Sequence, residues 1–189
     1  MQIKLQSLKL QNFMGIRDYT FAPQGVSALI RGDNGVGKTT LFSAFLWLLF
    51  GKDAAGRSDF EIKPLDAEGN PLHGLDHMVE ATLDVDGKQV RLCKVYKEKW
   101  TKKRGQTQKT LTGHSVDHYI DDVPVKKKEW EQRINDLIQE ETFRLLTNPA
   151  YFAGLHWQRR RQLLLEICGD VSDQVSIHAP VQGATQPRQ

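Results

Sequence analysis

The stretch "GDNGVGKTTL", residues 32–41, decides how the rest of this 189-residue chain is read. Gly32 to Thr39 satisfies the spacing G-x-x-x-x-G-K-[ST] in full. Glycines at these positions let successive backbone N–H groups converge on an anion, and a helix opening at the lysine aims its positive end at the same point. On this reading Lys38 reaches the β- and γ-phosphates of a nucleoside triphosphate, and the Thr39 hydroxyl ligates Mg²⁺. The flanks have the order such a loop needs. "GVSALIRG" (25–32) is a short apolar run, expected to be a buried strand feeding the loop. Thr39–Phe50 is expected to be a helix, apolar on nearly every face and so deeply buried, with Gly51 as its stop. Trp47 inside it belongs to a core rather than to a cofactor.

Upstream, Ile3, Leu5, Leu8 and Leu10 alternate with one slip, which predicts a strand with a bulge; a turn at Gly15 and a second strand follow. Downstream, the Gly, Pro, Asp and Asn content of 52–74 predicts a long excursion with little regular structure. Val79, Ala81, Leu83 and Val85 alternate before "DGK", and Val90, Leu92 and, less cleanly, Val95 after it, which predicts a hairpin. A basic segment leads to a third, weaker strand and then to "HYIDDVPVK". Trp130, Ile134, Leu137 and Ile138 have helical spacing, and "HWQRRRQLLLEICGD" is a further helix closed by Gly169. No solenoid-period repeat and no sustained heptad run is present.

The chain is long enough for one globular domain, and its apolar and charged fractions are ordinary for a soluble protein. The greasy run Leu41–Phe50 is too short for a bilayer that needs about 20 residues, and the N-terminus lacks a signal-peptide pattern. Cys93 and Cys168 have no metal or disulfide spacing. A cytoplasmic location and no membrane are therefore expected.

The motif alone leaves the class of nucleotide protein open. No N-K-x-D stretch favours guanine. Hydrolysis also asks for an acid at the end of a second apolar strand, to hold Mg²⁺ through water and polarise the nucleophile. "VEATLDVD" is interrupted by polar residues and "HYIDD" has too little apolar lead-in, so these acids read as solvated strand ends.

Three stretches together carry a family resemblance: "LQNFMGIRDYTF" (10–21), "LIRGDNGVGKTTLFSAFLWLLFGKD" (29–53) and "FRLLTNPAYFAGLHWQRRRQLLLEICGD" (143–170). Over residues 1–173 the chain resembles the N-terminal ATPase lobe of the SMC-like, SbcC-type DNA-repair ATPases. The resemblance implies an α/β P-loop NTPase lobe, an ABC/SMC-like half-head, with a largely β sheet packed around the phosphate-loop helix. It implies ATP contacts at Asn34, Gly35, Val36, Gly37, Lys38, Thr39 and Thr40, with Lys38 catalytic and Thr39 on Mg²⁺. In the family a loop glutamine ligates the metal; the nearest amide here is Asn148, one methylene shorter. A basic residue after Asn-Phe often lies near the nucleotide; here Met14 stands there and Arg17 follows three positions on. The resemblance further implies a coiled coil, a C-terminal lobe with the acidic and signature residues, a second head closing as a homodimer, DNA, and a nuclease subunit. "LTGH" (111–114) lacks the signature's second glycine and lies in the wrong lobe.

Lys97, Lys99, Lys102, Lys103, Arg104 and Lys109 surround Trp100, a composition suited to phosphate-backbone contact and equally to a solvated hairpin tip. Lys126, Lys127 and Lys128 open a helix, against its dipole. Arg159, Arg160 and Arg161 form a mixed surface with one expected to pair with an acid. His73/His77 and His114/His118 have i,i+4 spacing but no convincing helix, so they are expected to be surface histidines rather than metal ligands.

Residues 174–189, "QVSIHAPVQGATQPRQ", lose the family pattern where a coiled coil would begin, and are expected to form a disordered tail. Codons for His178–Ala184 can be chosen to set GCTCCC and its reverse complement around a short spacer, as in translated repeat DNA. The chain is accordingly expected to be cut before its coiled coil, to bind ATP, and to hydrolyse it poorly alone. A stand-alone P-loop kinase of a small metabolite and a non-hydrolysing ATP-dependent binding module remain as alternatives.

Overall fold

The computed structural model describes residues 1–102 and 110–168. They fall into two compact units, Met1–Gln139 and the part from Glu140 onward. Gly169, the tail at 174–189, and Lys103, Arg104 and Lys109 of the basic segment lie outside the described residues.

The first unit is built on six antiparallel strands in the order β2-β1-β3-β4-β5-β6. These are β1 (Ile3–Phe13), β2 (Ile16–Phe21), β3 (His77–Val85), β4 (Lys88–Thr101), β5 (Thr110–Ile120) and β6 (Val123–Val125). The slip in the opening alternation is a bulge: the β1–β3 register shifts between Leu5 and Ser7. Carbonyls of Leu5 and Gln6 there accept from the N–H groups of Gly25 and Gln24, so the bulge also steers the chain leaving β2. The β3–β4 turn is a two-residue loop, Asp86 (φ 50) and Gly87 (φ 84), with both residues left-handed as a twisted hairpin requires. The β5–β6 turn repeats it with Asp121 (φ 49) and Asp122 (φ 66).

One face of the sheet carries the core. Leu8, Leu10, Val79, Ala81, Leu83, Val90 and Leu92 point to it and are buried. Helix α1 (Lys38–Phe50) packs on β1, β3 and β4, and α2 (Lys127–Leu137) on β5. The interior of α1 holds neither glycine nor proline, and Leu41, Ala44, Leu46, Trp47, Leu48 and Leu49 are buried, as its all-round apolar sequence implies. Each fully buried Leu or Phe contributes about 1.5–3 kcal/mol. Gly51 ends the helix in the left-handed region (φ 71), its N–H donating to the Trp47 carbonyl at 2.9 Å. The opposite face is polar: Arg91 pairs with Asp122 (2.8 Å) and Lys97 with Asp117 (3.1 Å), surface pairs worth about 0–1 kcal/mol each. Of the strand-end acids, Asp86, Asp121 and Asp122 are exposed, while Glu80 and Asp84 are half-buried.

The expected excursion over 52–74 has no helix or strand, only a bridge between Leu65 and Pro71. It is tied down locally. Buried Asp53 accepts from the Arg57 backbone and guanidinium, and the Met14 N–H donates to the Ile62 carbonyl at 2.7 Å.

Two expectations fail here. The run 25–32 is not a strand, and Val26 (70% exposed), Leu29 (75%) and Ile30 (41%) face solvent. A buried strand needs a ladder partner, and among the described residues none pairs with this run. Nor are all the histidines superficial. His77 is 0% exposed and His118 is also buried, because both fall on the inward side of β3 and β5.

The second unit holds α3 (Glu140–Thr147), α4 (Pro149–Gly154) and α5 (Trp157–Cys168). Arg159 pairs with Glu141, joining α5 to α3, as expected for one residue of the arginine run. Among the described residues no helix is long and apolar enough to cross a membrane.

Candidate phosphate-binding site

The loop 32–37 and the first turn of α1 form the cradle. Gly35 (φ 87) and Gly37 (φ 95) adopt left-handed conformations that other residues rarely take. A Cβ on Gly37 would also meet Ile16 Cδ1 at 3.4 Å, and one on Gly32 would meet Val36 Cγ2 at 2.9 Å. Gly35 and Gly37 thus serve through their left-handed backbone, and Gly32 through the room it leaves the Val36 side chain. Gly37 is the N-cap of α1 and offers no side-chain acceptor, and no acidic residue occupies the first turn. The positive end of the helix is left uncompensated, the condition an anion satisfies.

Lys38 folds back over this opening. Its Nζ donates to the carbonyls of Gly32 (2.7 Å) and Asp33 (2.5 Å). These bonds hold the ammonium across the mouth of the loop, in reach of phosphates entering it. Asn34, Gly35, Val36, Thr39 and Thr40 lie on the same loop and turn, and Thr39 is exposed. The donor set fits a triphosphate: backbone N–H groups, one lysine, one hydroxyl and a helix dipole converge there. Among the described residues no group of three or more His, Cys, Asp or Glu could hold a metal ion.

Val36, Gly37 and Lys38 of the loop also line a recess of about 230 Å³, together with Ile16, Asp18, Tyr19, Ile30, Arg31 and Leu41. β2 supplies Ile16, Asp18 and Tyr19. The structure therefore adds Ile16, Tyr19 and Arg31 to the sequence-derived residues; the signal for the first two lay in the strand following Asn12-Phe13. Arg17 is exposed and does not line this recess. Asn148 lies in the second unit, where its Oδ1 accepts from the Ala150 N–H (3.0 Å) and caps α4.

The other end of α1 is equally specified. Lys94 is only 6% exposed; its Nζ donates to the Trp47 carbonyl (2.9 Å) and lies over the rings of Trp47 (5.6 Å) and Trp130 (5.2 Å). Burial pushes its pKa down to about 7. His118, its cross-strand neighbour, is lowered to about 4 by burial and by the charge of Lys94. His77 fixes the β1–β2 turn: its Nδ1–H donates to the Asn12 carbonyl at 2.6 Å, where Asn12 and Met14 take positive φ. Lys94 was not singled out in the sequence, and His77 was expected at the surface.

Trp100, by contrast, was. The buried carboxylate of Glu98 accepts from Lys63, His73, the Gly74 N–H and Trp100 Nε1. Burial alone would raise its pKa, but these donors outweigh that and hold it well below the usual carboxylate range.

Comparison with known proteins bears on this site. A family model described as an AAA domain matches residues 7–160. The fold is similar to that of a solved structure from work on ATP-driven dimerization and DNA-stimulated activation of SMC ATPases, with TM-score 0.62 and 14% identity over 87% of this chain and 99% of that one. At that identity the likeness is one of fold, and the mixed α/β architecture agrees with a P-loop NTPase N-terminal lobe. A structure of the recombination mediator protein RecF with ATP, from the RecFOR pathway, aligns at TM-score 0.44 and 13% identity, over 66% of this chain and 28% of that one. No curated protein matches the sequence.

Proposed function

The chain belongs to the AAA domain family, and on that premise we propose that it is the ATP-binding half of a composite, SMC-like ATPase site of the SbcC type, acting on DNA. The observation that carries the composite reading is the solvent-facing run Val26–Ile30 immediately before the phosphate cradle. Three large apolar side chains exposed next to a functional loop cost solubility unless something covers them. A strand from a second lobe, bringing the acid that holds the attacking water, meets both needs at once.

In this reading the N–H groups of Gly35 to Thr40 receive the phosphates, Lys38 exchanges its loop carbonyls for β- and γ-phosphate oxygens, and Thr39 ligates Mg²⁺. Ile16 and Tyr19 wall the recess beside them, and Arg31 places a cation at its edge. Arg17 and Asn148 enter as further candidate contacts, to nucleotide and to metal. ATP with Mg²⁺ supplies the phosphoryl group that is transferred to water. A second head, DNA contact through the exposed lysines Lys99 and Lys102, and a nuclease subunit belong to the same proposal; the SMC ATPase work concerns dimerization and DNA stimulation in its own protein.

Titration of the full chain with Mg-ATP tests the core of this reading. Saturable binding that Lys38→Ala weakens by about 100-fold is expected, since a charged hydrogen bond contributes about 1.5–3 kcal/mol. Binding indifferent to Lys38 would contradict it.

A further inference from the structure

The outer end of the β4–β5 ladder carries a surface that the nucleotide site does not use. Tyr96, Glu98 and Trp100 follow Lys94 along one side of β4, with His114 and Leu111 across from Glu98 and Trp100 on β5. The His114 ring stacks on Tyr96, centroids 4.8 Å apart and planes 14° from parallel. Trp100 meets His73 edge-on at 5.9 Å. His114 is exposed and Trp100 is 41% exposed.

Exposed aromatic rings are ordinarily free to turn, yet these are held. Glu98, its side chain 3% exposed, takes Trp100 Nε1–H at 2.9 Å and His73 Nδ1–H at 2.6 Å. Lys63 Nζ at 2.7 Å and the Gly74 N–H at 3.0 Å complete its shell. Burying a carboxylate costs several kcal/mol unless donors surround it. Four do so here, and two of the four belong to the exposed rings. Across the ladder, a bulge at Thr112 sets Leu111 opposite Trp100, with Gly113 at φ 151 and Thr112 Oγ1 donating to the Lys99 carbonyl at 3.1 Å. Bulges recur where a strand re-aims a side chain for use. Lys102, just past the end of β4, is exposed; Lys99 is exposed too but alternates to the opposite side of the strand from the rings.

We propose that this surface binds the unpaired bases of single-stranded DNA, stacking them on Trp100 and on the His114–Tyr96 pair while Lys102 meets the phosphates. A duplex hides its base faces, so it can use the lysine but not the rings. Single strands expose π faces of every base, and stacking on aromatic side chains is tolerant of sequence. Glu98 adds little repulsion to incoming phosphate, because its oxygens are already engaged by donors. The inference rests on the DNA reading above and narrows it to one class of DNA and one surface.

Fluorescence anisotropy with the full chain tests it, using labelled oligo(dT) and a blunt duplex of equal length at two salt concentrations. The double substitution Trp100→Leu, His114→Ala should weaken oligo(dT) binding by about 10–100-fold, from about 1–3 kcal/mol per stacked base, and leave the duplex within twofold. Trp100→Phe, which keeps a ring but not the bond to Glu98, should restore most of the single-strand affinity and shows that any loss is not misfolding. Lys102→Glu should lower both affinities and flatten their salt dependence. Unchanged oligo(dT) binding in the aromatic variant, or equal losses on both DNAs, overturns this inference and leaves the DNA reading standing. A wild-type chain that binds neither DNA overturns both.

Discussion

The two ends of α1 each meet a lysine, and the two lysines are used in opposite ways. At the N-terminal end Lys38 lies over an open loop, bonded to the Gly32 and Asp33 carbonyls, beside helix N–H groups that no acid compensates. At the C-terminal end Lys94 is buried between Trp47 and Trp130 and takes up the Trp47 carbonyl. One end is left unfinished for a ligand; the other is finished by the protein itself. A helix dipole explains why a cation suits the C-terminal end, and why the other end awaits an anion. The helix that presents the cradle is thereby anchored at its far end.

Substitutions break this comparison from either side, and the largest effect should be on ligand binding. Lys38→Ala is expected to cost about 100-fold in Mg-ATP affinity but only about 1 kcal/mol of unfolding free energy, from its solvent-accessible bonds to the Gly32 and Asp33 carbonyls. Calorimetric titration paired with urea melts separates the two. A second effect is pH dependence from Lys94, whose pKa is about 7 folded against 10.5 unfolded. Between those values the unfolded chain binds the extra proton, so this group makes stability rise with pH, by up to about 1.4 kcal/mol per unit. Lys94→Met should flatten that rise in urea melts between pH 7 and 10; an unaltered slope would remove Lys94 from the account. His118, at about 4 folded against 6.5, acts in a lower window with the same sign. Its contribution is present above 6.5 and is lost as pH falls toward 4, and His118→Gln should diminish that acid lability.

Smaller effects test the loop and the second unit. Gly37→Ala forces a side chain into φ 95 against Ile16 and should cost about 1–2 kcal/mol of stability, with weaker nucleotide binding. Asn148→Ala removes the α4 cap and should cost about 0.5–2 kcal/mol, read as faster amide exchange in 150–154. If the same change altered the Mg²⁺ dependence of ATP binding, Asn148 would join the metal site.

What the sequence disclosed followed from how local each signal was. The cradle, α1 with its Gly51 stop, the β3–β4 hairpin and the bulge in β1 rest on spacings within a few residues, and all are present. Val26–Ile30 misled because an apolar run states that it should be covered, not by what. Lys94 was overlooked because Val95, the apolar residue beside it, was given the inward position. Strict alternation from Val90 and Leu92 puts Lys94 there, and Val95 opposite Met78 on the polar face. A buried lysine becomes plausible only once two tryptophans and a helix end are seen around it. His77 is the same case, placed inward by a register that the i,i+4 spacing of histidines could not reveal.

ATP turnover by the purified full chain, alone and with a separately supplied C-terminal lobe and DNA, tests the composite site most directly. The account predicts saturable Mg-ATP binding with turnover near background for the chain alone, rising when the second lobe is added. Robust turnover by the chain alone, unaffected by lobe or DNA, would contradict it.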